Sequence, residues 1–286
     1  MSNAMSTAST TPSVPTITLN NGVQIPQLGF GVFQVPPDEV VKPVATALQA
    51  GYRLIDTAAV YGNETGVGRA IAESGVARDE LFITTKLWNS DQGYDSTLRA
   101  FDASLEKLGL ETVDLYLIHW PTPARDLYVD TWKALTKLYE DGRTRAIGVS
   151  NFTIHTLNRL REESRIIPAV NQIELHPHWP QAELRAYHQE HQIATQAWSP
   201  IGQGKGLLDD PQVIALAKAH DRTPAQVVLR WHMQLGVIAI PKSVTPSRIS
   251  ENLDVFDFDL DDGELAILSS LAPKRVGPDP ATFNVA

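Results

Sequence analysis

Four polar residues with complementary chemistry sit at, or just past, the ends of successive apolar runs. Leu54-Ile55 leads into Asp56, and Tyr61 follows five residues later. Leu81-Phe82-Ile83-Thr84-Thr85 ends at Lys86, and the run from Val113 to Ile118 ends at His119. A carboxylate, a phenol, an ammonium and an imidazole brought together make a proton-delivery device. Singly, each has a plainer explanation. A strand-end aspartate caps a helix, a lone lysine is solvated, a lone histidine is structural and a lone tyrosine packs. Convergence of all four is what would mark chemistry.

The elements around them predict that convergence. Short β-rich runs at 28–32, 53–57, 81–86, 113–119, 144–150, 169–175, 194–199 and 237–242 alternate with helical stretches. The helices are expected at 38–50, 64–74, 95–108, 127–140, 153–164, 181–190 and 223–235, with another at 261–271 after the last strand. Thr223-Pro224 and Asp210-Pro211 each offer an N-cap followed by proline, and Gly51, Gly109 and Gly142 stand where helices should stop. Asn21-Gly22 between alternating apolar residues signals a hairpin, expected to cap the barrel bottom. Eight βα units predict an α/β protein with a closed (β/α)8 TIM barrel, whose active site gathers at the C-terminal strand ends. A G-x-G-x-x-G after the first strand would have argued for an open dinucleotide-binding sheet, and none is there. Gly202-Gln203-Gly204-Lys205-Gly206 is a looser glycine loop.

Composition narrows the partners. The 286 residues carry a net charge of −9, which argues against nucleic acid or an anionic membrane as the main partner. Cysteine is absent, so disulfides and thiolate metal sites are excluded. His176, His178, His188 and His191 show no recognised ligand spacing, so no metal is expected. No apolar stretch approaches the ~18 residues of a membrane span and no signal-peptide core is seen, so a cytoplasmic protein is expected. Met1-Ser2-Asn3-Ala4 before Met5 looks like an expression scar, and the Ser/Thr/Pro-rich residues 6–15 read as flexible. No linker interrupts residues 16–270, so residues 16–286 are expected to form one barrel domain, working as a monomer.

Six motifs carry a family resemblance. They are LIDTAAVYGNE at 54–64, TTKLW at 84–88, DLYLIHWP at 114–121, IGVSNF at 147–152, NQIELHP at 171–177 and IPKS at 240–243. In this order they resemble the signatures of the aldo-keto reductases, over nearly all of residues 16–284. His119-Trp120-Pro121-Thr122-Pro123, Trp198 before Ser199-Pro200, and GPDPATFN at 277–284 are similar to the bacterial 2,5-diketo-D-gluconate reductase group.

That resemblance implies NADPH-dependent reduction of aldehydes or ketones, and the residues suit it. A reduced carbonyl needs a hydride and a proton, and tyrosine with a pKa of about 10 is a sluggish acid at neutral pH. A buried ammonium beside it stabilises the phenolate, and a carboxylate keeps that ammonium charged. Tyr61 is therefore the expected general acid, Lys86 its activator, Asp56 the partner of Lys86, and His119 the donor to the carbonyl oxygen.

A second signal concerns the cofactor. Thr245 and Pro246 can cap and start a short helix, leaving backbone N–H groups for a phosphate beside Lys242, Ser243 and Arg248. The resemblance implies that Lys242, Ser243 and Arg248 hold the 2′-phosphate of NADPH, with Val244 and Thr245 alongside, and that Glu251 and Asn252 hold the base. It assigns Ser150, Asn151 and Gln172 to the nicotinamide carboxamide, and places Ser199, Pro200, Ile201, Gly202 and Gln203 along the cofactor. Trp198 replaces the stacking tyrosine of many relatives. Phe33, Trp88 and Trp120 are expected as substrate-pocket walls.

Other readings stay open. Lys86 is placed as a Schiff-base aldolase lysine would be, although Asp56 favours its charged form. A nucleotide-sensing subunit without turnover is a further alternative. The substrate itself is not fixed by the sequence. The short connection at 121–126 suggests an open pocket, and sugar-derived diketones, small dicarbonyls and aromatic aldehydes all fit it.

Overall fold

A computed structural model of the chain describes residues 14–286, and the rest of the expected N-terminal segment, 1–13, lies outside the described residues. The chain opens with a hairpin of β1 (Thr16–Thr18) and β2 (Gln24–Pro26), paired antiparallel with Ile17 opposite Ile25. Gly22 turns it at φ 86°, a left-handed backbone that a side chain would strain.

Eight parallel strands follow in sequence order: β3 (Phe30–Gly31), β4 (Leu54–Asp56), β5 (Phe82–Leu87), β6 (Val113–Ile118), β7 (Thr144–Ser150), β8 (Val170–Glu174), β9 (Ala194–Trp198) and β10 (Ile238–Ala239). The ring closes where Gly29 N donates to Ala239 O at 2.8 Å, Ala239 N to Gln27 O at 2.9 Å, and Gly31 N to Pro241 O at 3.1 Å. The expected (β/α)8 barrel is the fold observed. Its last strand is shorter than the apolar run suggests, and Pro241, which has no N–H, follows two residues after it.

Helices α1 (Val41–Ala50), α2 (Glu64–Glu73), α3 (Tyr94–Leu108), α4 (Tyr128–Glu140), α5 (Ile154–Glu163) and α6 (Ala182–Glu190) connect successive strands from β3 to β9. Then α7 (Pro211–Ala219) and α8 (Pro224–Gln234) lead into β10, and α9 (Pro246–Leu253) and α10 (Asp262–Ser269) follow it. Capping works as the sequence suggests at Asp210 and at Thr223, where Thr223 and Gln226 form a reciprocal capping box. The first helix begins at Val41 rather than at 38, because residues 37–40 form a turn after Pro36-Pro37. No helix among the described residues is long and apolar enough to cross a membrane.

Side chains alternate along each strand between two apolar environments. Outward residues such as Ile55, Ile83, Tyr116, Ile118, Ile147 and Val149 join Val44, Phe101, Trp132 and Leu157 of the helices in the outer core. Inward residues Leu54, Phe82, Leu115, Leu117, Ala146, Val170 and Ile238 fill the barrel, together with Leu19 and Ile25 of the hairpin. Burying each such side chain contributes about 1.5–3 kcal/mol before entropy is subtracted. The hairpin is fixed beneath the barrel by Asn20 Nδ2 donating to Pro168 O (3.2 Å) and Asn21 Nδ2 to Arg145 O (3.0 Å). At Gly148 a Cβ would lie 2.5 Å from Val170 O, so only glycine allows β7 and β8 to approach there.

Candidate active site

The same alternation that fills the barrel aims the four polar residues. Reading upward on the inner face, Leu54 is followed by Asp56, Phe82 and Thr84 by Lys86, and Leu115 and Leu117 by His119. Tyr61 ends a short 3₁₀ turn, Ala59–Tyr61, directly after β4, and Gly62 at φ 69° terminates it. All four sequence-predicted residues therefore meet at the barrel mouth.

Lys86 is at the centre of that meeting and has no exposed surface. Its Nζ donates to Asp56 Oδ1 at 2.5 Å, to Thr57 O at 2.8 Å and to Tyr61 Oη at 3.4 Å. Burial opposes the ammonium charge, but Asp56 and Tyr61 outweigh it and hold the Lys86 pKa above that of an ordinary lysine. The Tyr61 phenol departs from the expectation of easier proton release. Burial raises its pKa more than Lys86 lowers it, so it stays protonated. His119 lies edge-on to Tyr61 with ring centroids 5.7 Å apart. Burial first, and the Lys86 charge second, keep its pKa well below 6.5, so the imidazole is neutral at physiological pH. His119 Nδ1 is buried without a hydrogen-bond partner among the described residues.

Aromatic side chains surround these groups. Phe33, 46% exposed, stands 5.1 Å from the Tyr61 ring, and Trp88 meets His119 edge-on at 5.3 Å. Trp120 packs 4.3 Å from Phe283 and 6.5 Å from Trp198. Phe283 is a member of this aromatic cluster that sequence reasoning missed. Its only signal was the segment 277–284, which carried resemblance but no assigned role.

The remaining predicted residues line the β7–β10 side of the mouth. Ser150 Oγ donates to Gln172 O at 2.8 Å, and Gln172 Nε2 donates to both Asp56 Oδ2 (2.8 Å) and Gln196 Oε1 (2.9 Å). Asn151, at φ 64°, donates through Nδ2 to His119 O at 3.0 Å and accepts from Trp198 Nε1 at 2.8 Å. After β9, Ser199 (φ 51°) and Gln203 (φ 51°) are non-glycine residues in the left-handed region, and Gly202 lies at φ 74°. Pro200 and Ile201 lie between Ser199 and Gly202 in this loop. Gly204 follows at φ 66°, so three consecutive residues, 202–204, take left-handed backbone after the isolated Ser199.

Beyond β10, Lys242, Val244, Thr245 and Arg248 are exposed and Ser243 is half-buried, around the N-terminus of α9. Thr245 holds the N-cap position, but its side chain makes no capping bond. Its backbone N–H instead donates to Ser243 Oγ at 3.1 Å. Glu251 Oε1 accepts from Thr223 Oγ1 at 2.8 Å and Asn252 is buried, so neither is as free to reach a base as their spacing suggests. Among the described residues no group of three His, Cys, Asp or Glu side chains has the geometry to hold a metal ion.

Comparison with known proteins gives one consistent match. The aldo/keto reductase family profile matches residues 27–273. An aldo-keto reductase of Mycolicibacterium smegmatis is 59% identical over 271 residues, covering 94% of this chain and 98% of that one. The methylglyoxal reductase DkgA of Yersinia pestis is 53% identical over 272 residues, covering 94% and 98%. A point variant of Gox0644, crystallised in complex with NADPH, superposes with a TM-score of 0.91 at 47% identity, covering 95% of this chain and 99% of that one.

Proposed function

The chain belongs to the aldo/keto reductase family, and on that premise we propose how its residues carry out the reaction and on what. It is an NADPH-dependent oxidoreductase that reduces aldehydes or ketones to alcohols. Bound NADPH supplies the hydride. Everything else falls to the chain's own side chains.

One observation supports the proton assignment most strongly. A single buried ammonium, Lys86 Nζ, is shared between Asp56 Oδ1 and Tyr61 Oη. Tyr61 gives its proton to the oxygen of the reduced carbonyl, and Lys86 stabilises the phenolate left behind. Asp56 keeps Lys86 charged and aimed. Neutral His119 donates to the carbonyl oxygen and orients it.

The residues around the β7–β10 mouth suit the cofactor. Lys242, Ser243 and Arg248 bring positive charge and a hydroxyl to the 2′-phosphate beside the α9 N-terminus, with Val244 and Thr245 alongside. Residues 199–203 lie along the cofactor, Ser150, Asn151 and Gln172 take the carboxamide, and Trp198 stacks on the ring. Glu251 and Asn252 reach the base once the bond between Glu251 and Thr223 opens. The raised pKa of Lys86 disfavours the aldolase reading, because a Schiff-base lysine must spend time neutral.

Phe33, Trp88 and Trp120 are the aromatic walls proposed for the substrate, and the methylglyoxal reductase relative suggests small dicarbonyls as the substrate class. We place the enzyme in the cytoplasm as a monomer, its residues 16–286 acting as one barrel domain, with no nucleic-acid partner at a net charge of −9. The test is a panel of dicarbonyls, sugar-derived ketones and aromatic aldehydes, read by loss of reduced nicotinamide absorbance. The highest kcat/KM should belong to the dicarbonyls.

A further inference from the structure

The buried carboxylate of Glu174 takes no part in the chemistry above, yet it binds the C-terminal segment directly. Glu174 is the last residue of β8, two places beyond Gln172, and is only 2% exposed. Its Oε1 accepts from Val276 N at 2.5 Å and its Oε2 from Gly277 N at 2.8 Å. His176 Nε2 lies 3.1 Å from Oε1 and Gln181 Nε2 donates to the Glu174 carbonyl at 2.6 Å, so the side chain and its backbone are both braced.

Gly277 is then pressed against the indole of Trp198. A Cβ there would lie 2.3 Å from Trp198 Cη2 and 2.9 Å from Glu174 Oε2, so only glycine fits. Trp198 in turn holds Asn151, and Asn151 holds the carbonyl of His119. The far end of the segment is tied separately. Ala124 N donates to Asn284 Oδ1 at 2.8 Å, Asn89 Nδ2 donates to Val285 O at 2.6 Å, and Phe283 packs on Trp120. The segment is thus a strap anchored at β8 on one side of the mouth and at the loops after β5 and β6 on the other.

We propose that Glu174 is a positioning residue for substrate specificity, tethering residues 276–284 so that Phe283 and Trp120 close the substrate side of the mouth around a small carbonyl compound. This rests on the reading of the site as a carbonyl reductase. Releasing the tether leaves the contacts among Asp56, Tyr61 and Lys86 unchanged, and it reaches His119 only indirectly, through Trp198, Asn151 and the His119 backbone carbonyl. Substrate capture should therefore suffer more than the chemical step.

Glu174→Gln keeps the shape but turns one acceptor into a donor facing a backbone N–H. Hydrogen bonds to charged groups are strong enough that KM for methylglyoxal should rise about tenfold or more. In the same variant kcat should fall by no more than about threefold, while KM for a bulky aromatic aldehyde changes less, so discrimination between the two narrows. Combined with Phe283→Ala, the effect should be less than additive, because both act through one strap. An unchanged KM, or full additivity with Phe283→Ala, overturns the proposal. Should Glu174→Gln fail to fold, Asn284→Ala releases the other anchor and must raise the same KM; no rise there overturns it equally. If the wild type reduces no carbonyl with NADPH, the reading of the site is what fails. The tether is then judged by amide exchange, which must quicken at Val276 and Gly277 in Glu174→Gln.

Discussion

Gln172 reaches across the barrel mouth to Asp56, its Nε2 donating to Oδ2 at 2.8 Å over 116 residues of sequence. The other oxygen of that carboxylate faces Lys86. Asp56 is therefore held from both sides, and the β4–β6 side that carries the proposed proton-transfer groups is joined to the β7–β10 side proposed for the cofactor. Burial raises the Asp56 pKa, and these two partners oppose the rise. A rotation of Gln172 toward a cofactor would be felt at Lys86 through a single shared carboxylate.

Tyr61→Phe removes only the hydroxyl that Lys86 contacts. The aromatic contact with Phe33 survives, so the fold should be kept. General acid catalysis is worth about 10²–10⁴-fold, and single-turnover reduction should slow by that range while NADPH affinity stays put. Reduction at near wild-type rate would remove Tyr61 from the mechanism.

His119→Ala tests a neutral donor. Because burial and Lys86 hold its pKa well below 6.5, the wild-type imidazole does not charge as pH falls from 8 to 6. The kcat/KM profile should then show no ionisation from His119 in that window, and the variant should lose kcat/KM with little change in NADPH affinity. A wild-type acid limb near pH 6.5 that vanishes in His119→Ala would show instead that the imidazole titrates there.

The placement of these groups was legible because strand alternation is a local rule. Once Leu54, Phe82 and Leu115 face inward, Asp56, Lys86 and His119 must do so too. The balance at Tyr61 was not legible, since the sequence names Lys86 as a neighbour but not how much burial opposes it. Glu174 was visible only as part of a motif. Its bonds to Val276 and Gly277 span about a hundred residues and follow no period. Thr245 shows the limit of local signals as well, because Ser243 Oγ takes the backbone N–H at the cap.

Acid stability offers a test of the barrel's surroundings rather than of the site. His188 and His232 are buried, and desolvation lowers the pKa of each to about 3. Both are neutral when folded, while the unfolded chain protonates them near a pKa of about 6.5. Above that pH neither state binds a proton, so no stability is lost. As pH falls from about 6.5 toward 3 the unfolded state binds more protons, and each histidine costs roughly 1.4 kcal/mol per pH unit. Urea unfolding at pH 6 and pH 5 should therefore give a steep slope, and His232→Gln should flatten it by about one histidine's share. An unchanged slope in the variant would mean His232 is not held neutral.

Cofactor choice tests the α9 end of the site. Arg248 and Lys242 are exposed at that helix N-terminus, and the proposed role of both is to meet a 2′-phosphate that NADPH has and NADH lacks. Charge-assisted hydrogen bonds are worth about 1.5–3 kcal/mol each, so losing one costs roughly 10- to 150-fold in affinity. Solvent exposure favours the lower end of that range. Arg248→Ala should weaken NADPH binding accordingly and leave NADH binding almost unchanged, as read by quenching of tryptophan fluorescence. The asymmetry carries the argument, because general damage to α9 would weaken both cofactors together. Equal wild-type affinity for NADH and NADPH would remove the phosphate from the recognition of this site and leave Lys242 and Arg248 as ordinary solvated cations.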